Sequence, residues 1–364
     1  MALKFYGRKK IPKINEIINN LKNTNKQIFN EEDKTILKDI INDFSAKKTD
    51  LLTPQEIRYL RFAEKCFWSE YLIFRWKFKN YPKMRIIPDF PLYLLIEPVS
   101  ICNLRCRMCW HSDKTFSPKS EFMGMMNFDL FKQIIDEAQK GGTKAITMAS
   151  RGEPTLHPRF GEMLKYCSKK FFEIKINTNA TRFTDELIHE ILQNNVDLVV
   201  FSVDSYTREG YFTIKGKDMF DTVVKNIKKF NKIRSEFYPN NRTTTRVQGV
   251  MFNEELNPEK FYHYWRNLCD QVTLENCERR WDIYNNSLNT ECDSPCNYLF
   301  ERMYIWYDGA CNPCDPDYKS YLSIGSLKND TIENIWKGKK YSALRNAHLE
   351  RNRKKIIPCD RCFL

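Results

Sequence analysis

The chain has 364 residues, of which 42% are hydrophobic and 14% aromatic. Such a chain can bury a sizeable core, which excludes a disordered one. Its formal net charge of +13, from 59 Lys and Arg against 46 Asp and Glu, suits anionic partners such as nucleic acid, phosphorylated substrates or acidic peptides.

The start, MALKFYGRKKIPKINEII, carries charge but no apolar stretch behind it, so no secretory signal is expected. No run approaches the roughly 18 apolar residues of a membrane span. The expected location is cytoplasmic. Thirteen cysteines in such a chain point to metal or redox chemistry before disulfides.

Residues 1–88 read as a helical N-terminal region. Thr53-Pro54-Gln55-Glu56 is a helix start, with Thr as N-cap, Pro in the first turn and Glu at N3. The stretch that follows, IRYLRFAEKCFWSEYLIFRWKFKNY, is aromatic and basic. It suits a partner helix, a membrane surface or a nucleic acid, or a face that docks on the next domain.

Residues 89–280 alternate strand and helix. Strands are expected at 92–99, 144–150, 173–178, 197–204, 245–252 and 271–276. Between them lie helical patterns such as 128–142, which ends on glycines. Crossovers through helices predict a parallel sheet. Six strands suit a partial (β/α)6 barrel rather than a closed eight-stranded one, with the chemistry at the carboxyl ends of the strands.

Cys102, Cys106 and Cys109 follow the first strand at once, in CNLRCRMC. Three thiolates can hold three irons of a [4Fe–4S] cluster and leave the fourth open. A structural zinc site wants four closed ligands, and His111 would have to fold back to supply one.

The motif resembles the CxxxCxφC hallmark of the radical S-adenosylmethionine (radical SAM) enzymes. The resemblance implies that the amino and carboxylate groups of SAM chelate the open iron. It implies reductive cleavage of SAM to a 5′-deoxyadenosyl radical, which abstracts hydrogen from an unactivated C–H bond. It also implies an electron donor such as flavodoxin or ferredoxin. SRGEPTLHP after strand two is similar to the family's GGEP motif, so Gly152, Glu153 and Pro154 are candidates for the SAM amino group, with Arg151 in place of the usual glycine. Ser202 and Asp204 at the end of strand four, and Arg246 in strand five, are further candidate SAM contacts. Arg246 and Gln248 share a strand face, and Gly249 allows close backbone approach. NTNAT, 177–181, is like the family's TNG turn, with Asn179 read as structural.

Residues 281–364 hold six of the thirteen cysteines and read as a small metal-stabilised domain. The spacing Cys296-x12-Gly309-x4-Cys314 and the closing Cys359-x2-Cys362 resemble the Twitch/SPASM extensions of radical SAM enzymes. That resemblance implies an auxiliary [4Fe–4S] cluster on Cys296, Cys314, Cys359 and Cys362, in the shorter Twitch arrangement, with the Trp336 region beyond it. Cys292 and Cys311 do not complete a second auxiliary site. A zinc ribbon on the same four cysteines is the alternative.

Cys277 ends strand six. It is the candidate hydrogen donor to a substrate radical, which gives epimerisation; ordinary packing is the other reading. Without a donor the outcome is oxidation or crosslinking. The expected substrate is a peptide or a sugar-containing small molecule. RNA modification is the lesser alternative, because no compact RNA-binding motif accompanies the charge. A zinc-stabilised nucleic-acid-binding protein without catalysis is the contrasting one.

Overall fold

Apolar residues at every second position, bounded by turn signals, produce the six central strands of the computed structural model. It describes residues 11–46, 52–116, 121–252, 256–277, 283–289 and 294–364. The strands are β1 (Tyr93–Ile96), β2 (Ala145–Met148), β3 (Glu173–Thr178), β4 (Leu198–Ser202), β5 (Thr244–Met251) and β6 (Gln271–Asn276). They pair in parallel, each with the next. Three more follow: β7 (Arg302–Ile305), β8 (Ala310–Asn312) and β9 (Gly325–Ser326). β7 pairs in parallel with β1, and the order is β6-β5-β4-β3-β2-β1-β7-β8-β9. The sheet is open, as a partial barrel requires, and it runs across the boundary placed at residue 280.

Registry gives the two faces of this sheet different chemistry. Leu94, Ile96, Ile146, Met148, Ile174, Ile176, Val199, Phe201 and Val247 belong to the main core, packed under the crossover helices. Those helices begin with α5 (Phe128–Gly141), which stops at Gly142 with φ of 92°, and continue through α6 (Phe160–Cys167), α7 (Asp185–Gln193), α8 (Arg208–Lys215), α9 (Phe220–Phe237) and α10 (Pro258–Trp265). The opposite, inward face carries Tyr93, Thr147, Lys175, Asn177, Ser202, Arg246, Gln248 and Thr273, which the strand registers hold at like parity. Gly249 lies on the outer face, where a Cβ would stand 2.6 Å from the Phe261 ring. The close approach read from the sequence is that of a helix side chain.

The N-terminal region is helical where described: α1 (Ile14–Lys22), α2 (Glu31–Ser45), α3 (Pro54–Phe62) and α4 (Trp68–Met84). The capping box forms, with Glu56 N donating to Thr53 Oγ1 at 3.3 Å and Thr53 N to Glu56 Oε2 at 2.6 Å. The aromatic face docks on the barrel. Tyr59 and Tyr71 stack with centroids 3.6 Å apart, and both meet Phe172 edge-on. Tyr71 Oη donates to Glu173 Oε1 at 2.6 Å, and Arg58 pairs with Asp197. Glu173 begins β3 and Asp197 precedes β4, so α3 and α4 close the amino-terminal end of the barrel. Two short helices, α11 (Ile332–Lys337) and α12 (Lys339–Leu349), follow β9.

Tyr71→Phe removes one donor from the buried Glu173 carboxylate while Arg75 stays near it at 3.8 Å. The expected loss is about 1–2 kcal/mol, read as a lower midpoint in anaerobic urea unfolding.

Candidate active site

The three cysteines Cys102, Cys106 and Cys109 sit on the loop after β1, at the carboxyl end of the sheet. The loop rests on the end of α8: Arg105 N donates to Lys215 O at 3.2 Å and Arg107 N to Ile214 O at 2.9 Å. Gly216 makes that contact possible. Its φ is +72°, and a Cβ there would lie 2.8 Å from Arg105 O. The turn after β3 closes the other side, where Asn179 Nδ2 donates to Asn103 Oδ1 at 2.9 Å and approaches Cys102 Sγ at 3.9 Å.

Burial pushes the Cys102 thiol up to about 12, with Glu153 and Cys106 adding to it. Burial likewise raises Cys106 and Cys109, and Cys109 feels the charge of both other thiols. Three half-buried thiols that repel one another as anions need a cationic partner to ionise together. An iron cluster supplies it, and the donor set fits that group. Lys215, buried and ion-paired to Asp204, also lowers Cys106 electrostatically. His111 turns the other way. Its Nε2 donates to Arg151 O at 2.7 Å, and burial pushes the imidazole down to about 4, so it is neutral at pH 7.

The loop after β2 packs on the backbone just before Cys102. A Cβ on Gly152 would lie 2.3 Å from Val99 O and 2.6 Å from Ile101 O, and Glu153 N donates to Ile101 O at 3.0 Å. Pro154 opens a short 3-10 turn. The Glu153 carboxylate accepts from Thr155 Oγ1 and Thr178 Oγ1, both at 2.7 Å, and from Asn179 N at 2.6 Å. His157 is structural, between Met126 O and Arg159 N. Ser202 is half-buried at the end of β4. Asp204, with φ of 63°, accepts from Val250 N at 2.8 Å as well as from Lys215. Cys277 follows β6 directly, its N–H on Met251 O at 3.2 Å. Arg246 is elsewhere. It points inward from the lower half of β5, donates to Gln271 Oε1, and lines a cavity with Arg58, Lys175 and Arg302. This separates it from the cysteines with which the sequence reading grouped it.

The second set converges as expected. Cys296, Cys314, Cys359 and Cys362 line one cavity with Leu299, Leu322 and Leu344. Burial raises Cys296, Cys314 and Cys359, and on Cys314 the charges of Asp317 and the other three cysteines add. Arg353, itself buried, donates from Nε to Cys359 O at 3.3 Å and from Nη1 to Ser294 O at 3.2 Å. Cys296 N donates to His348 Nδ1 at 3.2 Å. Cys311 lies apart, in the main core, and Cys292 is outside the described residues. Among the described residues, no three or more His, Cys, Asp or Glu side chains form a single-ion site. Four cysteines on one cavity offer the closed donor set of an auxiliary cluster.

One arrangement joins the two sets and was not foreseen. Glu97, fully buried at the end of β1, takes a two-pronged contact from Arg151: Nε to Oε2 at 2.7 Å and Nη2 to Oε1 at 2.6 Å. Arg151 Nη1 donates to Tyr318 O at 2.9 Å, and its guanidinium lies 4.4 Å from the Trp306 ring centroid. The Arg151 carbonyl accepts from Trp110 Nε1 at 3.1 Å. The signal in the sequence is a carboxylate inside the apolar run LYLLIEPV, which demands a buried partner.

Comparison with known proteins finds a family model over each of the two regions. The radical SAM superfamily model matches residues 96–245, and the SPASM iron–sulfur cluster-binding domain model matches 296–363. The tungsten-containing aldehyde ferredoxin oxidoreductase cofactor-modifying protein of Pyrococcus furiosus is 38% identical over 149 residues, 40% of this chain and 39% of that protein. The mycofactocin maturase MftC of Mycobacterium tuberculosis is 30% identical over 137 residues, 38% of this chain and 34% of that one. The chain thus matches well under half the length of each of these relatives. Streptococcus suis SuiB, bound to its precursor peptide SuiA, superposes with a TM-score of 0.60 at 14% identity, over 97% of this chain and 93% of that chain.

Two expectations follow. Arg151→Met leaves Glu97 buried and unpaired, at a cost of roughly 3–5 kcal/mol, part of which Glu97→Met in the same chain restores; anaerobic thermal melts of the single and double variants read both. Gly216→Ala strains the α8 C-cap and the three-thiol loop that rests on it, so reconstituted iron should drop from about eight to about four per chain, read by iron and acid-labile sulfide assay.

Proposed function

The chain belongs to the radical SAM superfamily and carries a C-terminal SPASM-type iron–sulfur domain, and from that premise we propose that it removes hydrogen from an unactivated C–H bond of a peptide or a sugar-containing substrate. Its cofactors, a SAM-binding [4Fe–4S] cluster, an auxiliary [4Fe–4S] cluster and SAM, supply a 5′-deoxyadenosyl radical as the abstracting species. The observation that carries the reading is the loop of three half-buried thiols, with no fourth cysteine in the loop, at the carboxyl end of a parallel partial barrel.

Cys102, Cys106 and Cys109 would hold the first cluster. Gly152 lets the 150–154 backbone lie flat against the loop, and Glu153 fixes the turn after β3 beside it. The half-buried Ser202 is the SAM contact we assign at the end of β4. Lys215 offsets negative charge at Cys106. Cys296, Cys314, Cys359 and Cys362 would hold the auxiliary cluster with no position left for SAM. The peptide half of the reading is prompted by the neighbour crystallised with its precursor peptide. A one-electron donor such as flavodoxin or ferredoxin is the partner this chemistry needs, and the reducing cytoplasm is the compartment that suits it.

Two observations bear on the outcome. Cys277 stands at the same end of the sheet as the three-thiol loop, which suits a hydrogen donor and epimerisation. Cys109 and Cys362 pack on one small core of Trp110, Phe116, Tyr284 and Tyr318, which suits passage of an electron between the sites and oxidation.

Reduced, reconstituted protein is expected to convert SAM to 5′-deoxyadenosine, and Cys102→Ala to abolish this; no cleavage by the fully loaded protein sinks the reading. In D2O, an epimerised product carries one solvent deuterium that Cys277→Ala eliminates, whereas an oxidised product is two hydrogens lighter and carries none. Mass spectrometry separates the two.

A further inference from the structure

The inward face of the sheet holds more cation than the fold uses. A cavity of about 230 Å³ lies between the sheet and helices α3 and α4, at the amino-terminal end of the strands. Its charged lining is Arg58, Arg75, Lys175, Arg246 and Arg302 against Glu173 and Asp197. Both carboxylates are already engaged. Glu173 takes Tyr71 Oη and Arg75, and Asp197 takes Arg58, Arg242 and the N–H of Ile174.

Two cations remain under-matched, and a third keeps one open donor. Among the described residues, Arg246 hydrogen-bonds only the neutral Gln271. Arg302 pairs with Glu301, yet its buried Nε has no partner. Lys175 stands on β3 between them, and among the described residues no carboxylate is hydrogen-bonded or ion-paired to its ammonium. Burial of Lys175 and Arg246 without a bound counter-ion is costly. Higher on the same inward face, Asn177 Oδ1 and Thr273 Oγ1 are buried without partners. Orphaned polar atoms above and unmatched cations below describe a chamber furnished for a polar ligand whose anionic end reaches the floor.

We propose that the barrel floor receives an oxyanion of the substrate, a carboxylate or a phosphate, on Lys175, Arg246 and Arg302. This rests on the reading of the barrel as the substrate chamber. Burial, with Arg246 and Arg302 adding, pushes the Lys175 ammonium down to about 8. The other titratable groups around it are Tyr93, Glu173, Asp197 and the more distant Glu275, with Arg58 and Arg75 from the helices. A bound anion favours the protonated lysine, so binding weakens as pH rises from 7 to 9.

The test is calorimetric titration of the full, reconstituted chain without reductant, using inorganic phosphate and succinate as probes. Because no turnover is needed, failure here leaves the radical reading standing, and failure to cleave SAM leaves this one standing. At least one probe is expected to saturate with Kd of about 1 mM or tighter. Phosphate alone assigns a phosphate-bearing substrate, and succinate alone a carboxylate. Lys175→Gln and Arg246→Gln should each weaken binding about tenfold or more, whereas Lys175→Arg holds it. Circular dichroism checks that each variant is folded. Saturation by neither probe, or equal saturation in both folded Gln variants, overturns the proposal.

Discussion

A carboxylate with no access to water, Glu97, sets the constraint around which both sites are arranged. An unpaired charge at that depth is not tolerated, and only a guanidinium fork meets both oxygens in one plane. Arg151 supplies the fork from the loop after β2, and Tyr307 N adds a contact to Glu97 Oε1 from the loop after β7 at 3.3 Å. Three loops at the carboxyl end of the sheet are therefore tied to one side chain. The pair is weak evidence for stability, since a packed apolar replacement often matches such a pair. Its value is positional. The carbonyl of Arg151 anchors Trp110 and His111 next to Cys109, and its guanidinium reaches Tyr318 in the segment that follows Cys314.

The space between the two thiol sets is filled by rings. Trp110 and Tyr318 lie 6.1 Å apart, Phe116 and Tyr318 5.5 Å, and Tyr284 and Tyr318 5.1 Å, centroid to centroid. Tyr284 and Tyr318 are not orphaned there: their hydroxyls donate to Asp317 and Asp113. This satellite core packs against Cys109 of one site and includes Cys362 of the other. Solvent exposure and hydrogen bonding to sulfur are among the terms that set cluster potentials, so one packing unit influences both.

What the sequence disclosed follows from how local each signal is. The strands were legible because alternation is a property of neighbours, and the capping box because it spans four residues. The cysteines were legible because a thiol has few uses in a reducing chain. Contacts made by folding were not. Glu97 is buried against the Arg151 guanidinium, Lys215 against Asp204, and Arg353 against the carbonyls of Ser294 and Cys359, and no local pattern announces any of these partners. β7 was missed because its partner, β1, lies some two hundred residues earlier. The position of Arg246 is the most instructive. Parity along β5 gave its face correctly, but depth in a staggered barrel depends on six registers at once, and no single strand encodes it.

Parallel sheets are usually covered by helices on both faces and read as near-continuous apolar runs. This one does not. EIKINT and TRVQGV alternate apolar with polar, so one face is sacrificed to function while the other carries the core. Such a sheet needs something to shield its polar face at the end away from the chemistry. Helices α3 and α4 do this with Tyr59, Tyr71, Arg58 and Arg75, which bring both apolar area and counter-charges to Glu173 and Asp197. The aromatic, basic N-terminal segment is thus explained without an external partner: its charge neutralises carboxylates at the strand starts, and its rings close the floor of the barrel.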